Sequence, residues 1–146
     1  MPHKNAIQWN DATRTGVAEM DDQHRILVDT LIEATERLSG NPGSRLFDRI
    51  TRDLLAYAIY HFGTEEKLMA HCRYADAAPD DAALHLAQHR QFSQRVVALR
   101  AEASQGGQES RDALLAFLRD WLVNHILTTD QRLGRFISAQ RAEDPT

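Results

Sequence analysis

Imidazole and carboxylate side chains recur at four-residue spacing in this chain, His61 with Glu65 and His85 with His89. A four-residue step is just over one helical turn, so each pair lies on one face, in reach of one ion or of two adjacent ions. His24, His125 and Asp130 complete a set of five imidazoles and two carboxylates. Nitrogen and oxygen donors without a thiolate suit iron, manganese, zinc or copper rather than magnesium or calcium.

The environment of these residues sharpens the reading. Around Glu65, positions 50, 54, 57, 61, 65 and 68 fall on one helical stripe, and four of the six are Ile50, Leu54, Tyr57 and Leu68. Such a stripe faces a core, where an unpaired carboxylate is costly and needs a positive partner. No basic residue occupies a matching stripe elsewhere in the chain, whereas more histidines do. One inward histidine is usually a hydrogen-bonded core residue. Five of them with an inward acid need more partners than apolar stripes provide, and a metal satisfies them together.

Four helices must position this set. The first is expected from Asp22 to Ser39, with His24 on its inner line, followed by the break GNPG at 40–43. The second should start at Ser44 as a cap and run to about His71. The third should begin within Pro79-Asp80-Asp81 and carry His85, His89, Phe92, Val96 and Leu99 inward. After the break SQGGQ at 104–108, with Ser110 as a cap, the fourth carries Leu114, Leu118, Trp121, Leu122 and His125. A short final helix is expected over Gln131–Ala139. Short connections force antiparallel neighbours, so the fold class is all-α, an up-down-up-down four-helix bundle with an N-terminal arm at 1–20 and a loose tail at 140–146.

One spacing conflicts with a regular helix. His125 and Asp130 are five residues apart, which turns them about 140° from each other on an α-helix. For both to reach one site, the helix must end or widen into a π-like turn within Ile126–Thr129. His3, in the arm, and His71, about 80° off the inner line, are expected at the surface.

Composition excludes other classes. With 146 residues the chain suits one domain over 1–146, and a monomer is expected. A net charge of −4 with dispersed lysines and arginines argues against nucleic acid and anionic membrane surfaces as partners. The N-terminus lacks the apolar core of a signal peptide, and the most apolar later stretch is interrupted by Arg119 and Asp120. Cys72 is the only cysteine, expected to be a free thiol near a helix end, so a cytoplasmic location is expected.

Taken together, W-x6-GV-x2-MDDQH from Trp9 to His24, HFGTEE from His61, HLAQH from His85 and WLVNHILTTD from Trp121 to Asp130 resemble the hemerythrin family, in particular its single-domain bacterial members. The resemblance covers most of the chain. It implies two non-haem iron ions, one bound by His85, His89 and His125 and the other by His24 and His61, bridged by Glu65, Asp130 and an oxo or hydroxo group. It also implies reversible binding of dioxygen at the iron with two histidines, in a pocket lined by Leu27, Phe62, Trp121 and Leu122. All four are apolar, which favours carrying oxygen over catalysis, so no enzyme activity is expected. Storage, delivery (oxygen transport) and sensing are all compatible, and sensing would need a separate partner protein. A diiron oxidase or peroxidase is a second reading, weakened because the paired Glu-x-x-His motifs of ferritin-like enzymes are absent. An iron-binding or metal-buffer bundle is a third. The connection 72–84 departs from the family in length, and Ala75 stands where proline commonly follows the tyrosine.

Overall fold

The computed structural model of the protein describes residues 13–38 and 43–143. His3, the arm before residue 13, most of the GNPG break and the last three residues of the tail lie outside them. Among the described residues every regular element is helical: α1 (Ala18–Arg37), α2 (Ser44–His71), α3 (Tyr74–Ala77), α4 (Pro79–Gln105), α5 (Gln108–Asn124) and α6 (Asp130–Glu143), with a π-helical turn, His125–Thr129, joining α5 to α6.

The long helices close a ring in which α1 packs on α2, α2 on α4, α4 on α5 and α5 on α1. Cross-helix bonds tie neighbours together. Gln23 meets His61 and Thr64, Glu66 meets His89 while Asp48 meets Arg100, and Gln88 meets both His125 and Thr129. A rise in number from Asp48 to Glu66 on α2 is a fall from Arg100 to His89 on α4, so these two run antiparallel, as expected for a bundle of helices with short connections.

The inner stripes bury one apolar core that holds Leu27, Leu31, Leu54, Phe62, Phe92, Val96, Leu114, Leu118 and Leu122. A second cluster, built on Val17, Met20, Met69, Cys72, Tyr74, Leu133 and Ile137, closes the end of the bundle beyond Glu65 and Asp130. Polar residues in the central layer are thus sealed between two dry regions.

Several boundaries differ from expectation. Helix α1 begins at Ala18 rather than Asp22, so residues 18–20 leave the arm and Met20 becomes core. Asp21 permits this, because its carboxylate accepts hydrogen bonds from Thr15 N and Oγ1 at 2.8 Å each and from Gly16 N at 3.2 Å. The chain turns into the helix at Gly16, whose φ of 87° suits a residue without Cβ. The helix caps also differ. Gly43 rather than Ser44 precedes α2, and Gly107 rather than Ser110 precedes α5. Pro79 opens α4 as expected, with Asp80 and Asp81 in the first turn.

Between α2 and α4 the chain forms the unexpected short helix α3, which follows a left-handed Arg73 (φ 58°) and buries Tyr74. Ala75 sits exposed within it, and α4 starts undisturbed. Cys72 is a free, buried thiol next to the end of α2, and His71 is exposed. Helix α6 runs on to Glu143, so residues 140–143 are helix rather than loose tail. Its apolar side, Leu133 and Ile137, packs into the second cluster and holds it there.

Candidate metal centre

All seven predicted donors meet in the middle of the bundle. His24 comes from α1, His61 and Glu65 from α2, His85 and His89 from α4, His125 from the π turn and Asp130 from the first position of α6. Each is buried, and Glu65 and Asp130 are fully so.

The π turn lies where the His125 to Asp130 spacing requires it. Wider winding returns residue 130 to the face of residue 125, which a regular helix would not do. Their Nε2 and Oδ1 atoms are 3.0 Å apart.

The carboxylate oxygens sort the histidines. Glu65 Oε1 lies 3.0 Å from His89 Nε2, 3.4 Å from His85 Nε2 and 3.6 Å from His125 Nε2. Glu65 Oε2 faces the other way, 3.4 Å from His61 Nε2 and 3.5 Å from His24 Nε2. Asp130 divides in the same sense, with Oδ1 near His125 and His85 and Oδ2 2.8 Å from His24 Nε2. Two donor groups result, His85, His89 and His125 on one side and His24 and His61 on the other, with both carboxylates spanning them.

These contacts do not satisfy themselves. Nε2 of His24 and of His61, Oε2 of Glu65 and both oxygens of Asp130 are buried without a hydrogen-bond partner. His89 Nε2 and His125 Nε2 lie 3.2 Å apart, with room for at most one proton between two lone pairs. Ligands about 2.1 Å from an octahedral ion, at right angles to one another, are about 3 Å apart. Inward donors at that spacing with too few protons are what a metal would satisfy, and the donor set fits one.

Without a metal, protons must supply the missing charge. Burial pushes the His24 imidazole down, but the adjacent Asp130 and Glu65 outweigh it and raise it to about 9. His125 behaves alike and is pushed up to about 10, and His85 is raised. Burial favours neutral carboxyls, yet the surrounding imidazoles hold Glu65 well below the usual carboxylate range and Asp130 at about 2. The cluster is a pair of anions that demands cations.

A further layer of side chains escapes a reading of the stripes. His61 Nδ1 lies 2.8 Å from Gln23 Oε1, His125 Nδ1 2.8 Å from Gln88 Oε1, and His89 Nδ1 3.0 Å from Glu66 Oε2. Thr64 accepts from Gln23 Nε2 and Thr129 donates to Gln88 Oε1, which orients both amides with oxygen toward the ring. Nδ1 then carries the proton, and the Nε2 lone pair points into the centre. In sequence each of these residues adjoins a donor, as in Gln23-His24, Glu65-Glu66 and Gln88-His89. That adjacency was the available signal.

Of the four apolar pocket candidates, Phe62 and Trp121 touch the centre's imidazoles and Leu27 and Leu122 belong to the same apolar core. Leu27, Phe62 and Leu122 are buried in the main core and Trp121 packs against it half-buried. Phe62 stacks on His89 with ring centroids 4.1 Å apart, and Trp121 stacks on His125 at 4.6 Å. Both aromatic rings therefore lie against the three-histidine side. No helix is long and apolar enough to cross a membrane among the described residues.

Comparison with known proteins agrees with this geometry. Residues 15–137 match the family described as Hemerythrin HHE cation binding domain. The chain is 30% identical over 124 residues to a bacteriohemerythrin of Pseudomonas aeruginosa (strain LESB58), covering 85% of this chain and 76% of that protein. It is 30% identical over 125 residues to a bacteriohemerythrin of Methylococcus capsulatus, covering 86% and 91%. A hemerythrin-like protein of Naegleria gruberi is 27% identical over 126 residues, covering 86% and 89%. With its helical bundle and its buried cluster of histidines and carboxylates, this chain belongs to the hemerythrin family of non-haem iron-binding domains.

Proposed function

We propose that this protein binds dioxygen reversibly at two non-haem irons, the first held by His85, His89 and His125, the second by His24 and His61, and both by Glu65 and Asp130. The observation that carries the reading is the division of the two carboxylates: Glu65 turns one oxygen toward His85, His89 and His125 and the other toward His24 and His61, and Asp130 turns one toward His85 and His125 and the other toward His24. When bound, such an iron pair supplies the electrons that dioxygen takes up and returns.

The chain's own residues do the rest. Gln23, Glu66 and Gln88 fix three imidazoles through Nδ1, so little reorganisation is needed when an ion enters. Leu27 and Leu122, buried in the main core, keep water from the centre, and Phe62 and Trp121 shield His89 and His125. None of these four is an acid or a base, which favours a carrier over an oxidase or peroxidase. A monomer acting in the cytoplasm, for storage, delivery or sensing, is part of the proposal.

The test is metal content and absorption spectra after anaerobic iron loading. Two irons per chain are expected, with a visible band that appears in air and disappears on evacuation. Stoichiometric zinc, one iron per chain, or oxygen consumption without recovery of dioxygen would each overturn the reading.

A further inference from the structure

Five imidazoles converge on the centre, but what stands behind them is unequal. His24 Nδ1 and His85 Nδ1 have no hydrogen-bond partner. His61 Nδ1 and His125 Nδ1 meet neutral amide oxygens, those of Gln23 and Gln88. His89 Nδ1 alone meets a carboxylate, Glu66 Oε2 at 3.0 Å. In unpartnered rings and amide-backed rings the two donor groups are matched one for one. Glu66 is the difference.

An amide would hold the ring equally well, as Gln88 does for His125, so the carboxylate adds charge rather than geometry. A negative acceptor at Nδ1 draws that proton outward and makes the imidazole a stronger donor at Nε2. Phe62, stacked on the His89 ring, keeps water from its face. No lysine or arginine pairs with Glu66 among the described residues, so its charge is not spent elsewhere. With a side chain 45% exposed, solvent weakens the effect without removing it.

We propose that Glu66 is a positioning residue that passes negative charge through His89 to the ion held by His85, His89 and His125, and so favours the more highly charged state of that ion over its partner's. This rests on the two-ion reading above. It makes the centre electronically lopsided, with the oxidised state stabilised on the side away from His24 and His61.

Glu66→Gln and Glu66→Ala separate charge from support. In iron-loaded protein, spectroelectrochemical titration should show Glu66→Gln raising the midpoint potential by about 59 mV, the equivalent of a tenfold change for one electron. At saturating iron the iron content should match the parent, the metal-free proteins should melt together, and Glu66→Ala should shift the potential at least as far. An unchanged potential in Glu66→Gln overturns the proposal, and so does a shift confined to Glu66→Ala, since Glu66 would then only hold the ring. A second measurement is independent of iron and oxygen. Cobalt(II) titration of the metal-free proteins should show weaker binding in Glu66→Gln by roughly tenfold, and equal affinity would overturn the charge role. If the parent takes up fewer than two irons the carrier reading fails, while the cobalt titration still decides what Glu66 does.

Discussion

His125 Nε2 and Asp130 Oδ1 lie 3.0 Å apart, although five residues separate them and a regular helix would turn them away from each other. The π turn between them is the only irregularity in a helical run from Gln108 to Glu143. Such widened turns concentrate at functional sites because they cost stability without a compensating contact nearby. Here the compensation is the centre itself. Asp130→Asn keeps the shape but halves the acceptor capacity that faces His24, His85 and His125. Metal affinity should fall by at least about 10–100-fold, the usual loss for an outer partner alone, as read by metal retained after dialysis against a weak chelator. Unchanged retention of two ions would remove Asp130 from the ligand set.

Metal removal should make stability depend on pH with a definite sign. His24 and His125 are raised from 6.5 to about 9 and about 10 in the metal-free fold. The stability they contribute is complete below about 6.5 and is lost as pH rises through 9 and 10. Asp130 runs the other way, lowered from 3.8 to about 2, so its contribution is present above 3.8 and fades toward 2. In the metal-loaded protein an ion occupies the Nε2 positions and the alkaline loss disappears. The gap in melting temperature between loaded and metal-free protein should therefore widen from pH 6 to pH 9. A gap independent of pH would mean that these histidines do not face the carboxylates.

The bundle and its seven inward donors were legible in the sequence because both rest on spacing. Apolar stripes at helical period named the core-facing positions, and the mismatch between His125 and Asp130 named the turn that had to widen. What was not legible depends on contacts between distant residues. Gly16 looks like a helix breaker, and only the bonds from Thr15 and Gly16 to Asp21 explain why α1 starts just beyond it. Helix α3 is a single turn, too short to show a period, and its left-handed entry falls on an arginine rather than a glycine. Gln23, Glu66 and Gln88 look like surface polar residues until the fold brings an imidazole to each.

Thr15, just ahead of α1, meets α6 at a close approach. A Cβ added at Gly134 would lie 2.5 Å from Thr15 O and 2.6 Å from Thr15 Cβ, distances that backbone cannot absorb without moving. Gly134→Ala should cost about 1–3 kcal/mol in chemical denaturation, the usual penalty for overpacking. Ala is the better helix former by about 1 kcal/mol, so its gain would partly mask the clash. A stabilised variant would show that Thr15 is not seated against α6.

Leu122 tests the oxygen reading most directly. It lies three residues before His125 in the chain, is buried, and shares the main core with Leu27 and Phe62. A helical side chain leans back over the preceding turn, and the oxygen reading assigns Leu122 there as apolar cover for bound dioxygen. Leu122→Ala should cost about 2–5 kcal/mol in stability as a core truncation. The informative effect is a different one. A cavity next to so many polar atoms can hold water, unlike one lined only by hydrocarbon. Water beside bound oxygen supplies the protons that make its uptake irreversible, so the variant should load iron normally yet lose its oxygenated form faster. An increase on the order of tenfold, equivalent to about 1.4 kcal/mol in barrier, is expected in the rate of conversion to the ferric protein. Should the oxygenated variant last as long as the parent while showing the stability loss, Leu122 is core alone and dioxygen binds elsewhere.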